Sequence, residues 1–478
     1  MNRNTSVQLL KLLSSEEIRR LGKFLRSPYF NYSQPVIALF ERLRRHHPDY
    51  DPQKIQPVNL WKKIHPTAAY EEQKYWKLNF KLCRLIERFM AVEEMEANHF
   101  EHKKHLLYSH RRRNAQTLFV RETKSLIAQI ESQPYQDIHS YSKTLWLKHD
   151  YFYSTVTDKY SPAIYSVEDA MHDLDRFYTL AKLRFASEIK NREQIFAQKT
   201  PLKLLGECIT TCHEYEHENP AYLMYRTILS LYDNEASEEA FYRGKEQLAF
   251  HFASLSKNDQ NEILLNLRNY AIRQLNKGHN SFWKELLDLY QLGLELNLIV
   301  DNNKISDAAF GNIVKTGCVA KEFAWTEEFI ESHEQFLDEE IRVDTKILSM
   351  GILYFEKEEF HKVIELYSQH AFSQLLHQMS ARITLIKSWF SQFQEDKNLY
   401  SVLSAKLESA EKFFRRNKAI SKQKKQMHLN FILATRQLSD LLYQRKSAKL
   451  IRQKMNKYLS LKSNMATKQW FLNKLDQI

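Results

Sequence analysis

Apolar residues return every three or four positions along most of this chain, the period of a helix that packs on one side. Between Asn258 and Asn276, Leu264, Leu267, Ala271 and Leu275 form one such stripe, with polar residues opposite. Tyr75, Leu78, Leu82, Leu85, Ile86, Phe89 and Met90 predict a longer helix by the same rule. Ser14 and Glu17 stand at capping-box spacing before Ile18, Leu21, Phe24 and Leu25, so a helix is expected to start there. The run Ser27-Pro28-Tyr29-Phe30-Asn31 should end it, and Val36, Leu39, Phe40 and Leu43 mark a second helix from about Gln34 to His47. No comparable stretch alternates strictly, so no sheet is expected.

The breaks between stripes set the organisation. Pro48, Pro52, Pro57 and Pro66 predict a loop-rich segment ahead of the long helix. From about Arg111, helices alternate with short breaks at Pro134, Ser161-Pro162, Pro201, Asn219-Pro220, Gly278-His279-Asn280 and Asp301-Asn302-Asn303. Helices joined by short connections pack as antiparallel hairpins, and a series of hairpins stacks into an α-solenoid. Only 8 glycines occur in 478 residues. That scarcity favours helix and leaves little for hairpin turns or phosphate loops.

One period recurs. Gly317 and Gly351 lie 34 residues apart, and around the second Ile347, Met350, Gly351, Tyr354, Val363 and Tyr367 hold the spacing of a helical-hairpin packing motif. The segment Ile352 to Tyr367 resembles a tetratricopeptide repeat. One period earlier Ile313, Gly317 and Ala320 fit, while Phe329 stands where the motif has a small residue. The resemblance covers about residues 310–370; elsewhere the hairpins run closer to 40 residues. It implies a degenerate, tetratricopeptide-like array, a class that generally holds peptides or partner proteins in a concave groove and is seldom catalytic.

Charge divides the chain in three. Residues 1–130 carry a net +11, residues 131–400 a net −13 and residues 401–478 a net +14. We therefore expect an all-α protein with a helical N-terminal unit (1–110), an irregular, acidic, tetratricopeptide-like solenoid (111–400) and a basic C-terminal helical region (401–478). Met1 to Leu13 has no apolar run suited to a secretory leader, and no stretch reaches the roughly 18 uncharged residues of a membrane span. Cys83, Cys208, Cys212 and Cys318 read as reduced thiols of a cytoplasmic protein.

Candidate chemistry is sparse. His213-Glu214-Tyr215-Glu216-His217 satisfies H-E-x-x-H, in which two histidines one helical turn apart bind zinc and the glutamate activates water. Glu235 stands where a third ligand could follow. Glu216 puts a charge inside the motif, and Asn219-Pro220 ends the helix almost at once, so a solvated helix end is the expected reading. Cys208 and Cys212 with the two histidines cannot surround a tetrahedral ion from one straight helix. Glu96-Ala97-Asn98-His99 matches Glu-x-x-His, but di-iron bundles need two such pairs, and His102 and His105 read with it as polar helix exterior. Neither G-x-G-x-x-G nor a P-loop occurs.

The basic runs are the remaining candidates: Arg111, Arg112 and Arg113, then Arg415, Arg416, Lys418, Lys422, Lys424 and Lys425. Such clusters neutralise phosphates or meet acidic protein surfaces. The expected function is a non-enzymatic interaction scaffold that binds a protein or peptide, without cofactor or membrane. A nucleic-acid binder working through its basic ends is the alternative, and a metallohydrolase on the His213 segment comes third.

Overall fold

A computed structural model of the chain describes residues 5–154, 165–194, 199–233, 237–462 and 464–478. The expected break at Ser161-Pro162 and the candidate ligand Glu235 lie outside the described residues. Among the described residues the regular structure is 23 α-helices and four short 3-10 turns, with one isolated bridge between Asp301 and Lys304 and no strand. The protein is all-α. No described helix is long and apolar enough to cross a membrane. The chain divides into two compact units, residues 1–133 with 138–177, and residues 134–137 with 178–478.

In the first unit the helix Ser15–Arg26 starts as its sequence dictates. The Ser14 N–H donates to Glu17 Oε2 at 2.7 Å, and the Glu17 N–H donates to Ser14 Oγ at 3.2 Å. Such a cap is worth about 1 kcal/mol. The next helix runs from Gln34 to Leu43 and tightens into a 3-10 turn at Arg44–His46. The long helix Glu72–Ala97 closes the core against both, where Leu21, Leu25, Leu39, Phe40, Leu82 and Ile86 are sealed from solvent. Each such side chain contributes roughly 1.5–3 kcal/mol by leaving water. A second core in this unit gathers Leu107, Phe119, Ile127, Leu147 and Tyr151.

In the second unit, successive helices pack on one another and on the next but one. Asp307–Val319 meets Phe323–His333 and Glu339–Glu356, and Glu339–Glu356 in turn meets Phe360–Ser368 and Leu375–Glu395. The stripe of Leu264, Leu267 and Ala271 is buried as its period requires. The same helix, Lys257–Asn276, also buries Asp259 and Asn266. Asp259 Oδ1 accepts from Tyr225 at 2.6 Å, and Asn266 Oδ1 accepts from Tyr232 at 2.6 Å, which offsets the cost of taking them from water.

Both glycines of the 34-residue period sit at close helix approaches. A β-carbon on Gly317 would lie 2.2 Å from Thr326 Oγ1, and one on Gly351 would lie 2.1 Å from Tyr367 Cε1. Phe329 is buried against Phe310, with ring centroids 4.9 Å apart, while the smaller Thr326 takes the place facing glycine. All four cysteines are buried free thiols. Burial pushes the Cys83 and Cys212 thiols up to about 11 and Cys318 up to about 12.

Candidate functional site

The site is built where the last of these hairpins passes into the C-terminal helices. Tyr367 fills the space that Gly351 leaves and donates its hydroxyl to the Leu348 carbonyl at 2.6 Å, which fixes the end of helix Phe360–Ser368. The following turn is pinned by one carboxylate. Asp344 Oδ2 accepts from the Ser373 N–H and hydroxyl at 2.7 Å each, and its Oδ1 lies 2.7 Å from His370 Nε2. Burial by itself would raise this acid; the donors of Ser373, His370 and Gln374 outweigh it and bring it down to about 2. Behind it, buried His377 reaches Asp307 through Nε2 at 3.1 Å, and Thr345 donates to the same carboxylate at 2.9 Å.

A cleft of about 420 Å³ opens beside this knot, between the turn, helix Leu375–Glu395 and helix Tyr400–Arg416. Phe372, Ala381, Leu385, Ile386 and Ala410 give it an apolar floor, and Arg382 and Lys406 its charge. None of the described residues lining it is a carboxylate. Arg382 lies over the Phe413 ring, 4.0 Å from its centroid, and donates to the Gln378 carbonyl at 3.3 Å. This guanidinium is half-buried, which lowers its pKa, and an incoming carboxylate would offset that cost. The first unit has a larger groove, about 590 Å³, with Tyr108 and the exposed Trp146 in its wall. Its lining mixes Lys104 and Lys143 with Glu101 and Asp150, so charge there selects no ligand.

The residues singled out from the sequence fall in different places. Helix Leu205–Tyr215 stops before His217, so the two histidines of the H-E-x-x-H segment do not share a helical face. Both are exposed, and Glu216 is committed to Arg226 through bonds of 2.5 and 3.0 Å. Asn98 ends one helix and caps the next, which separates Glu96 from His99; Glu96 instead lies 3.3 Å from His102. Among the described residues no group of three metal-ligating side chains gathers.

Arg111, Arg112 and Arg113 end helix His99–Arg112 in the first unit, where Arg111 lies 3.7 Å from Asp150 and Arg113 donates to Ser109. The other six belong to the second unit. Arg415 pairs with Glu411 at 2.8 Å, Arg416, Lys418, Lys422 and Lys424 are exposed, and Lys425 Nζ donates to the Arg415 carbonyl at 3.4 Å. The structure thus joins the two ends of that run, across the turn between helices Tyr400–Arg416 and Lys422–Tyr443.

Sequence reasoning missed Arg382, Lys406 and Asp344. A faint signal existed for the first: Arg382 and Lys387 are the two cations of a 21-residue helix whose one acid, Glu395, stands at its end. Nothing local distinguishes Lys406 or Asp344 from ordinary helix-surface charges. No family model, curated protein or solved structure matches the chain.

Proposed function

We propose that this chain is a non-enzymatic interaction scaffold whose tetratricopeptide-like hairpins hold an acidic peptide segment of a protein partner in the cleft beside Tyr367. The cleft carries the reading: an apolar floor with two cations and no carboxylate among its described lining residues. An extended segment bearing a Leu or Phe beside Asp or Glu would bury the apolar side chain on Phe372 and Leu385 and set its carboxylate on Arg382. The rim is held rigid by Tyr367 and Asp344, so little ordering is left to be met on binding. A reducing cytoplasm suits the four buried free thiols.

The test is a peptide library presented to the purified chain, with hits measured by calorimetry. Acidic-apolar peptides should bind and lysine-rich ones should not. Lys406→Glu should weaken the hits by roughly tenfold, as should Ser409→Trp, which narrows the cleft from its exposed rim. Hits that ignore both substitutions would place the peptide site elsewhere.

A further inference from the structure

Between Asp440 and Asp476 the chain has nine lysines and arginines and no carboxylate. The structure exposes six of these nine cations on one helix and in the turn just before it. Helix Ala448–Leu461 buries Ile451, Met455 and Leu459 against the C-terminal core and turns Lys449, Arg452, Lys454 and Lys457 outward. Between them on the outer side stand Gln453, Asn456 and Ser460, all hydrogen-bonding groups. Arg445 and Lys446 continue the exposed charge at the start of the helix.

At its other end the chain is tied back to the helix Lys422–Tyr443. The Ala466 N–H donates to the Met427 carbonyl at 3.1 Å, and Asn430 Nδ2 donates to the Asn464 carbonyl at 2.8 Å. This return sets the end of helix Ala448–Leu461 beside the early part of that helix, whose first turn carries Lys422, Lys424 and Lys425 with no acid among them. Cations there oppose the helix dipole, an arrangement that raises the energy of the free protein and is relieved by a bound polyanion. Past residue 400 the ion pairs among described residues are Lys412 with Glu408, and Arg415 and Arg436 with Glu411. None involves the helix Ala448–Leu461.

The chemistry of the surface selects its occupant. A protein partner needs apolar anchors at the centre of its footprint, and lasting attachment to an anionic membrane needs an inserted apolar group besides charge. Past Tyr443 no described large hydrophobic side chain is exposed. Single strands need aromatic platforms for their bases, and Trp470 is packed between Phe390 and Phe431. What remains is an array of cations and amides over about 12 Å of helix, from Lys449 to Lys457, suited to the evenly spaced phosphates of a duplex. We propose that this C-terminal face binds double-stranded nucleic acid through its phosphate backbone, without reading its sequence. The proposal is independent of the peptide cleft.

Fluorescence anisotropy with a labelled duplex of about 20 base pairs tests it on the full chain. Four phosphate contacts predict an affinity loss of about 100-fold between roughly 50 and 200 mM salt. Lys449→Gln/Arg452→Gln/Lys457→Gln should flatten the log–log salt slope by about 3, while Lys62→Gln/Lys63→Gln in the first unit should leave it unchanged. Lys449 and Lys457 point to solvent, Arg452 is exposed but donates to the Asp476 carbonyl at 3.3 Å, and an unchanged circular dichroism spectrum and melting temperature would confirm folding. Should the triple variant melt early, Lys449→Gln/Lys457→Gln replaces it, with an expected flattening of about 2. No binding at low salt, or a slope unmoved by the variants, overturns the proposal. Displacement of the duplex by polyglutamate or anionic vesicles at equal charge also overturns it, in favour of an acidic protein or a membrane surface.

Discussion

Gly351 and the Tyr367 ring occupy each other's space: a single added methyl on the glycine would stand 2.1 Å from Cε1 and 2.4 Å from the hydroxyl oxygen. Tyr367 is held there by its bond to the Leu348 carbonyl, so it has no room to yield. Gly351→Ala should therefore destabilise the second unit by about 1–3 kcal/mol, the range for overpacking. Gly311, also inside a helix, has nothing within 4 Å of such a carbon, and Gly311→Ala should stabilise by about 0.5–1 kcal/mol. Urea unfolding of the two variants beside the parent checks both signs. A pair that moves in the same direction would contradict the packing argument.

Asp344 makes stability depend on acid. Its carboxyl sits near 2 in the folded protein, below its ordinary value, so the stability it adds is present at neutral pH. That contribution, on the order of 2 kcal/mol, is lost as pH falls from about 4 through about 2. Asp344→Asn should lower the melting temperature at pH 7 and remove this part of the acid limb. Melting curves from pH 7 to pH 2 read both effects; parallel curves for parent and variant would refute the assignment.

The phenol of Tyr225 and the carboxylate of Asp259 form a bond inside the second unit, 34 positions apart in sequence, with Arg184 Nη1 3.7 Å from the same oxygen. Burial first, and the Asp259 charge next, raise the tyrosine well above its ordinary value. Tyr225→Phe should cost about 1.5–3 kcal/mol, as expected for a buried bond to a charged group. Asp259→Ala should cost more, because it strands the tyrosine, Ser256 and Arg184 together. Equilibrium denaturation ranks the two.

Glu216 and its histidine neighbours separate a structural role from a metal role. Glu216→Gln breaks the two-pronged contact with Arg226 and should destabilise by about 1–3 kcal/mol. His213→Ala/His217→Ala touches exposed side chains and should stay within about 0.5 kcal/mol of the parent. Added zinc should shift the melting temperature of parent and double variant equally. A zinc-dependent shift that disappears with the histidines would restore the metal reading.

Thiol reactivity gives a further readout of burial. Cys318, pushed up to about 12, should resist alkylation at pH 8 until the chain unfolds, and Cys83 and Cys212, near 11, should behave alike. Mass spectrometry of iodoacetamide-treated protein, native and in denaturant, counts the protected thiols.

The helical class, the capping box at Ser14 and the glycine-centred approach at Gly351 were legible in the residues, because each is written within a turn or one hairpin. A stripe of Leu264, Leu267 and Ala271 specifies a helix and its buried side whatever lies opposite. A small residue at Gly351 marks a close approach before its partner is known. The tertiary structure alone decided what those sides meet. Asp344 finds Ser373 and His370 across 26–29 residues, and Arg382 comes to rest on Phe413 from a different helix. The face of Lys449, Arg452 and Lys457 exists because Ile451 and Met455 turn inward on a core assembled from four other helices. Helical period is a short-range property, fixed by bonds between residues four apart. A binding surface depends on contacts between distant segments, whose pairing is set by the packing of the whole unit rather than by any local spacing.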